Sequence, residues 1–127
     1  MTTSSDPDAF AGFPGIGKAT AIPNLFFAAV LPRMEAPGDL LAFLWVARLT
    51  QELKAEPRCI SAEDIWAHEP ARLSFERLAG GRPGLDAGLH RCLELRALLA
   101  LEVRGTGGPE ALYFVTTPAA RRSIARA

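Results

Sequence analysis

The apolar positions along the chain follow two periods, helical to about residue 95 and alternating beyond it. Residues 1–21 follow neither. They are rich in Ser, Thr, Asp, Gly and Pro, which predicts a loose tail that gains order only against a partner. Leu25, Phe26, Phe27, Val30 and Leu31 then predict a short helix, with Asn24 as its cap and Pro32 as its stop. Past Pro37-Gly38, Asp39 is placed to cap a second helix running to about Ala55, and Pro57 forbids its continuation. Its first turns, Leu40, Leu41, Phe43, Leu44, Trp45 and Val46, are apolar nearly all round. A helix of that kind must be covered on more than one side. The cover is either the folded-back N-terminal helix or another subunit.

Arg58, Cys59 and Ile60 form a short extended link, and Ser61-Ala62-Glu63-Asp64 resembles a capping box with Asp at its third helical position. The third helix that starts there is interrupted by Pro70 near Glu69. A segment with Leu73, Phe75 and Leu78 follows, and Gly80 to Gly84 make a clear break. The next helix sets Leu85, Leu89, Cys92 and Leu93 on one apolar face and points Asp86, His90, Arg91 and Glu94 elsewhere. From Leu98 the period becomes two: Leu99, Leu101 and Val103 alternate with Ala100, Glu102 and Arg104. A turn at Gly105 to Pro109 returns the chain through Leu112 to Thr116, closing a hairpin, and Thr117-Pro118 starts a last helix. The expected fold is therefore mainly α with a small β-hairpin, a winged helix-turn-helix filling residues 22–127 as one domain. In that arrangement the third helix enters a major groove beside the hairpin wing.

Composition adds little beyond excluding disorder, since 49% of the 127 residues are hydrophobic and 22% charged. Charge is more informative by its distribution. The formal net charge is zero, so no global basic field advertises nucleic acid. Residues 1–70 nevertheless carry −4 and residues 71–127 carry +4, which turns the C-terminal half toward any anionic partner. The longest nearly apolar run, Leu40 to Ala47, is far too short to span a bilayer. With no charged start and apolar middle of a signal peptide, a reducing, cytoplasmic location is expected, with Cys59 and Cys92 unpaired.

Several motifs point toward chemistry and fall short of it. Gly12-Phe13-Pro14-Gly15-Ile16-Gly17-Lys18-Ala19 comes within one residue of a phosphate-binding loop, but Ala19 stands where a Ser or Thr must hold magnesium. Cys59, His68, His90 and Cys92 lack the close spacing of a structural zinc site. Glu63 and Asp64 read as first-turn helix residues rather than catalytic carboxylates. No enzymatic activity, cofactor or metal is expected.

The chain resembles the N-terminal winged-helix domain of DnaD-type primosome proteins over roughly residues 13–124. The resemblance rests on Phe13-Pro14-Gly15, Ile22-Pro23-Asn24-Leu25-Phe26-Phe27 and Leu31-Pro32, then on the apolar helix at Leu40 to Leu49. It continues in Ala97-Leu98-Leu99-Ala100-Leu101-Glu102-Val103 and ends with Tyr113-Phe114-Val115-Thr116-Thr117-Pro118. It implies a DNA-binding and assembly module in bacterial DNA replication initiation and helicase loading, with self-association and other replication proteins as partners. Family members draw much of their DNA binding from a second helical domain. The alternatives on the same fold are a protein-interaction module without DNA binding and a transcription regulator.

Candidate contacts follow from these readings. Arg82, His90, Arg91, Arg104, Arg121 and Arg122 are the residues expected to meet phosphate, weakly and mainly electrostatically. Leu25, Phe26, Phe27, Leu41 and Trp45 are those expected at an interface between copies.

Overall fold

The computed structural model describes residues 9–127. Residues 9–23 carry no helix or strand, and the first eight residues of the expected tail lie outside the described residues. The strap becomes fixed at Ala21. The Gln51 side chain accepts from its backbone N–H at 2.9 Å and donates to its carbonyl at 2.8 Å.

A π-helical turn, Phe26–Val30, and a 3-10 turn, Leu31–Arg33, follow. Asn24 is not the cap: the turn opens when Phe26 donates its N–H to the Pro23 carbonyl at 2.9 Å. The next helix, α1 (Pro37–Gln51), begins two residues before Asp39. Asp39 sits one turn inside, its carboxylate accepting from the Glu35 and Ala36 N–H groups at 2.8 and 3.0 Å. It thus supplies the backward half of a capping box, and Pro37 takes a position where no N–H is needed. The helix also ends before Ala55, tightening as Leu53 N–H bonds to the Thr50 carbonyl at 3.1 Å. Arg58 Nε then donates to the Leu53 carbonyl at 3.1 Å.

The extended link contains a true strand, β1 (Ile60–Ser61). Ser61 caps α2 (Ala62–Ala67), accepting from the Asp64 N–H at 3.1 Å. His68 separates it from α3 (Glu69–Leu78), where Pro70 lies in the first turn and starts a helix rather than ending one. Helix α4 (Arg82–Glu94) leads to β2 (Leu98–Gly105) and β3 (Gly108–Val115), and α5 (Pro118–Ala125) closes the chain. Thr117 caps α5 as expected, at 3.0 Å from the Ala120 N–H.

The strands form one antiparallel sheet in the order β1-β3-β2. β2 and β3 pair from Leu98↔Val115 to Gly105↔Gly108, leaving only Thr106 and Gly107 as the loop. The turn is shorter than the sequence suggests because Gly105, Gly108 and Pro109 already lie in the ladder. On the other edge of β3, Ile60 pairs with Tyr113 and Ser61 with Leu112. The molecule is thus mostly helical with a three-stranded sheet, one strand more than a hairpin.

Ala42, Phe43, Val46, Ile65, Phe75, Leu85, Leu89, Cys92 and Leu98 form the core. Helix α1 is covered on several sides within one chain, by α4, α3 and β3. Its contact with α4 is made through glycines. A Cβ on Gly88 would overlap the Gly38 carbonyl, and one on Gly38 would come within 2.6 Å of the Gly84 carbonyl oxygen. Phe26 completes the cover, stacked on Phe43 with ring centroids 4.2 Å apart.

Candidate functional site

Two surfaces hold the residues singled out from the sequence: the face made by α4 and the hairpin, and the apolar N-terminal segment. On the first, the structure separates the candidate cations. Arg104 lies six residues from the base of β2, about 20 Å along the strand. Arg121 and Arg122 sit on α5, which joins the opposite end of the hairpin. His90 is exposed and lies 3.6 Å from Glu94.

Arg82 and Arg91 are not free cations. Arg82 donates through Nε to Asp86 at 2.9 Å and through both terminal nitrogens to Glu63, at 3.0 and 3.4 Å. This pairing raises the Arg82 pKa and lowers that of the Glu63 carboxyl. Arg91 donates to Glu94 at 3.3 Å, to Glu35 at 3.2 Å and to the Arg33 carbonyl at 3.2 Å. The two guanidinium groups expected at the centre of a phosphate surface are therefore each held by two carboxylates. The sequence shows the helical partners Asp86 and Glu94, at spacings of four and three. It hides Glu63 and Glu35, which folding brings from 19 and 56 residues away.

Between the first turns of α2 and α4 and the hairpin tip lies a polar cleft of about 540 Å³, lined among others by Glu63, Arg82, Asp86, Glu110 and Tyr113. Burial raises the Tyr113 pKa, and the nearby Asp86 charge adds to the effect. The cleft thus mixes the carboxylates of Glu63, Asp86 and Glu110 with Arg82, the single cation among the described residues that line it.

The apolar surface is also only partly the one expected. Phe26 does not belong to it: it is 4% exposed, held in the core against Phe43, whereas Leu25 is 71% and Phe27 54% exposed. The chain folds back on itself at this point, so Phe26 covers α1 within one copy. Trp45 is half-buried and ties α1 to α3, its Nε1 donating to Ser74 Oγ at 2.9 Å. Leu41, Leu44 and Trp45 line an open apolar groove with Thr20 and Ile22 from the strap. Upstream, within the segment expected to be a tail, Phe10, Phe13 and Ile16 are exposed large apolar residues. Phe10 and Phe13 pack edge to face, 4.9 Å between centroids. Among the described residues, 9–23 around Lys18 carry no strand or helix.

Both cysteines are free thiols. Among the described residues no cluster of His, Cys, Asp and Glu has the geometry to hold a metal, and no helix is long and apolar enough to cross a membrane. No protein-family model, curated protein or solved structure matches the chain.

Proposed function

We propose that the chain is a winged-helix module of the DnaD type that acts non-enzymatically, in the cytoplasm, as an assembly unit in bacterial DNA replication initiation. The observation that carries the winged-helix reading is the threading of the small sheet. A helix leads to β1, helices α2 to α4 follow, and the β2-β3 hairpin returns so that β1 pairs with β3. In this reading α4 is the groove helix and the hairpin is its wing. Fold alone does not assign function, so the replication role rests on the resemblance in the quoted segments.

Assembly is favoured over groove reading because the cations of α4 are paired while large apolar side chains outside the core are not covered. Leu25 and Phe27 flank the buried Phe26, and Phe10, Phe13 and Ile16 precede them. Burying one such side chain contributes about 1.5–3 kcal/mol, so a few suffice to favour association between copies or with a replication partner. DNA contact in this reading is weak and electrostatic, through His90 and Arg104 at the α4 and wing surface and through Arg121 and Arg122 at the other end.

Sedimentation velocity of the unmodified protein at micromolar concentration tests self-assembly, with a species larger than the monomer expected. Leu25→Asp/Phe27→Asp should shift it to a folded monomer whose Tm no longer depends on protein concentration, because neither side chain belongs to the core. A monomer before substitution overturns self-assembly as the module's role.

A further inference from the structure

The pairing on α4 has a pattern. Each arginine is held by one carboxylate from its own helix, Asp86 or Glu94, and by one from outside it, Glu63 on α2 or Glu35 just before α1. Arg91 lies nine positions beyond Arg82, about 13 Å along the helix and about two and a half turns around it, so the two guanidinium groups leave opposite sides of α4. Each is a separate site, and only Arg82 lies beside the hairpin tip. Ion pairs this exposed contribute little to fold stability, and the carboxylate side chains of Glu63, Asp86, Glu94 and Glu35 are all more than half exposed. Their effect on a phosphate is larger. A phosphate reaching Arg82 must displace Glu63 or Asp86 and approach a set that is net negative.

We propose that Glu63 and Asp86 mask a phosphate-binding surface: duplex DNA engages α4 through Arg82 when these two carboxylates are neutralised. The inference rests on the winged-helix reading, which gives α4 its groove-facing role. The Arg82 side chain is 31% exposed and lines the cleft beside the hairpin tip, and Glu63 occupies its guanidinium fork in the two-pronged manner that a phosphate would adopt. The oxygens of Glu63 and Asp86 remain within reach of a partner's basic side chains. Neutralising them leaves no buried charge behind.

The test is fluorescence anisotropy of a labelled duplex with the full chain over a range of KCl concentrations. Glu63→Gln/Asp86→Asn should bind about tenfold tighter at low salt, with a log–log salt slope steeper by about one for the arginine released. Adding Arg82→Ala should return both to the unmodified values. Glu56→Gln/Glu76→Gln makes the same change in net charge at residues that form no ion pair among the described residues, and should leave the slope unchanged. No gain in the double variant, or an equal gain in the charge-matched control, overturns the mask. A gain that survives Arg82→Ala takes the added phosphate contact off Arg82 and overturns the mask, leaving the winged-helix reading standing; no duplex binding by any variant at low salt overturns the DNA contact in that reading. Circular dichroism melts of each variant verify that the fold is retained.

Discussion

The thiol of Cys92 is fully buried and donates to the Asp39 carbonyl at 3.3 Å, joining α4 to the first turn of α1. Burial, with the Asp39 charge nearby, pushes its pKa from 9.0 to about 12. The native state therefore holds the proton that the unfolded chain releases from about pH 9 upward. Cys92 adds a loss of stability as pH rises through that window, approaching about 1.4 kcal/mol per pH unit. Urea titrations at pH 8, 9.5 and 10.5 should show this fall, and Cys92→Ala should flatten it by one proton. In the folded protein a thiol reagent should modify Cys59 well before Cys92. That Cys92 is a small core residue was legible from its place on the stripe with Leu85 and Leu89. Its bond to Asp39 was not, because Asp39 reads as a cap from sequence and 53 residues lie between the two.

Among the elements, the α1–α4 crossing depends most on single atoms. Gly88→Ala would set a methyl into the Gly38 backbone, which cannot rotate away as a side chain can. Overpacking of this kind costs about 1–3 kcal/mol, and the melting temperature should fall by roughly 5–15 °C. A variant that melts with the native protein refutes so close a contact. The end of α4 offers the opposite case. Arg96 takes φ +62°, while Ala97 N–H bonds to the Cys92 carbonyl and Arg96 N–H to the Leu93 carbonyl, each at 3.0 Å. These are the two bonds of a Schellman ending, which favours glycine at the left-handed position. Arg96→Gly should raise stability by about 0.5–1 kcal/mol in chemical denaturation. Elements with a strong local signal were legible: the alternation of β2, the caps Ser61 and Thr117, and the apolar stripe of α4. β1 was read only as an extended link, since two residues cannot display a period and it exists by pairing with β3.

At the scale of the molecule, the positive excess of the C-terminal half is not carried by the two arginines of α4. Four of the carboxylates that balance the chain fold onto the two arginines of α4, two of them from the acidic N-terminal half. Summing charge by segment misses this because it ignores which residues meet. The apolar excess around Leu40 to Val46 was legible, and so was fold-back as one way of covering it. Which of Phe26 and Phe27 turns inward was not, since adjacent residues in a short helix offer no period to choose between them.

The double hydrogen bond between Gln51 and Ala21 also sets a geometry for capture. It fixes the root of the strap on α1, and the 11 residues from there back to Phe10 include Gly12, Gly15 and Gly17. A glycine-rich chain of that length has a root-mean-square span of about 18 Å. Anything that grips Phe10 and Phe13 is thereby held within about 18 Å of the Leu41–Trp45 groove, and a second contact there becomes intramolecular, with an effective concentration in the millimolar range. Two weak apolar contacts then act as one stronger one. Gln51→Ala, which frees the root without touching either contact, would lower that avidity by letting the span grow.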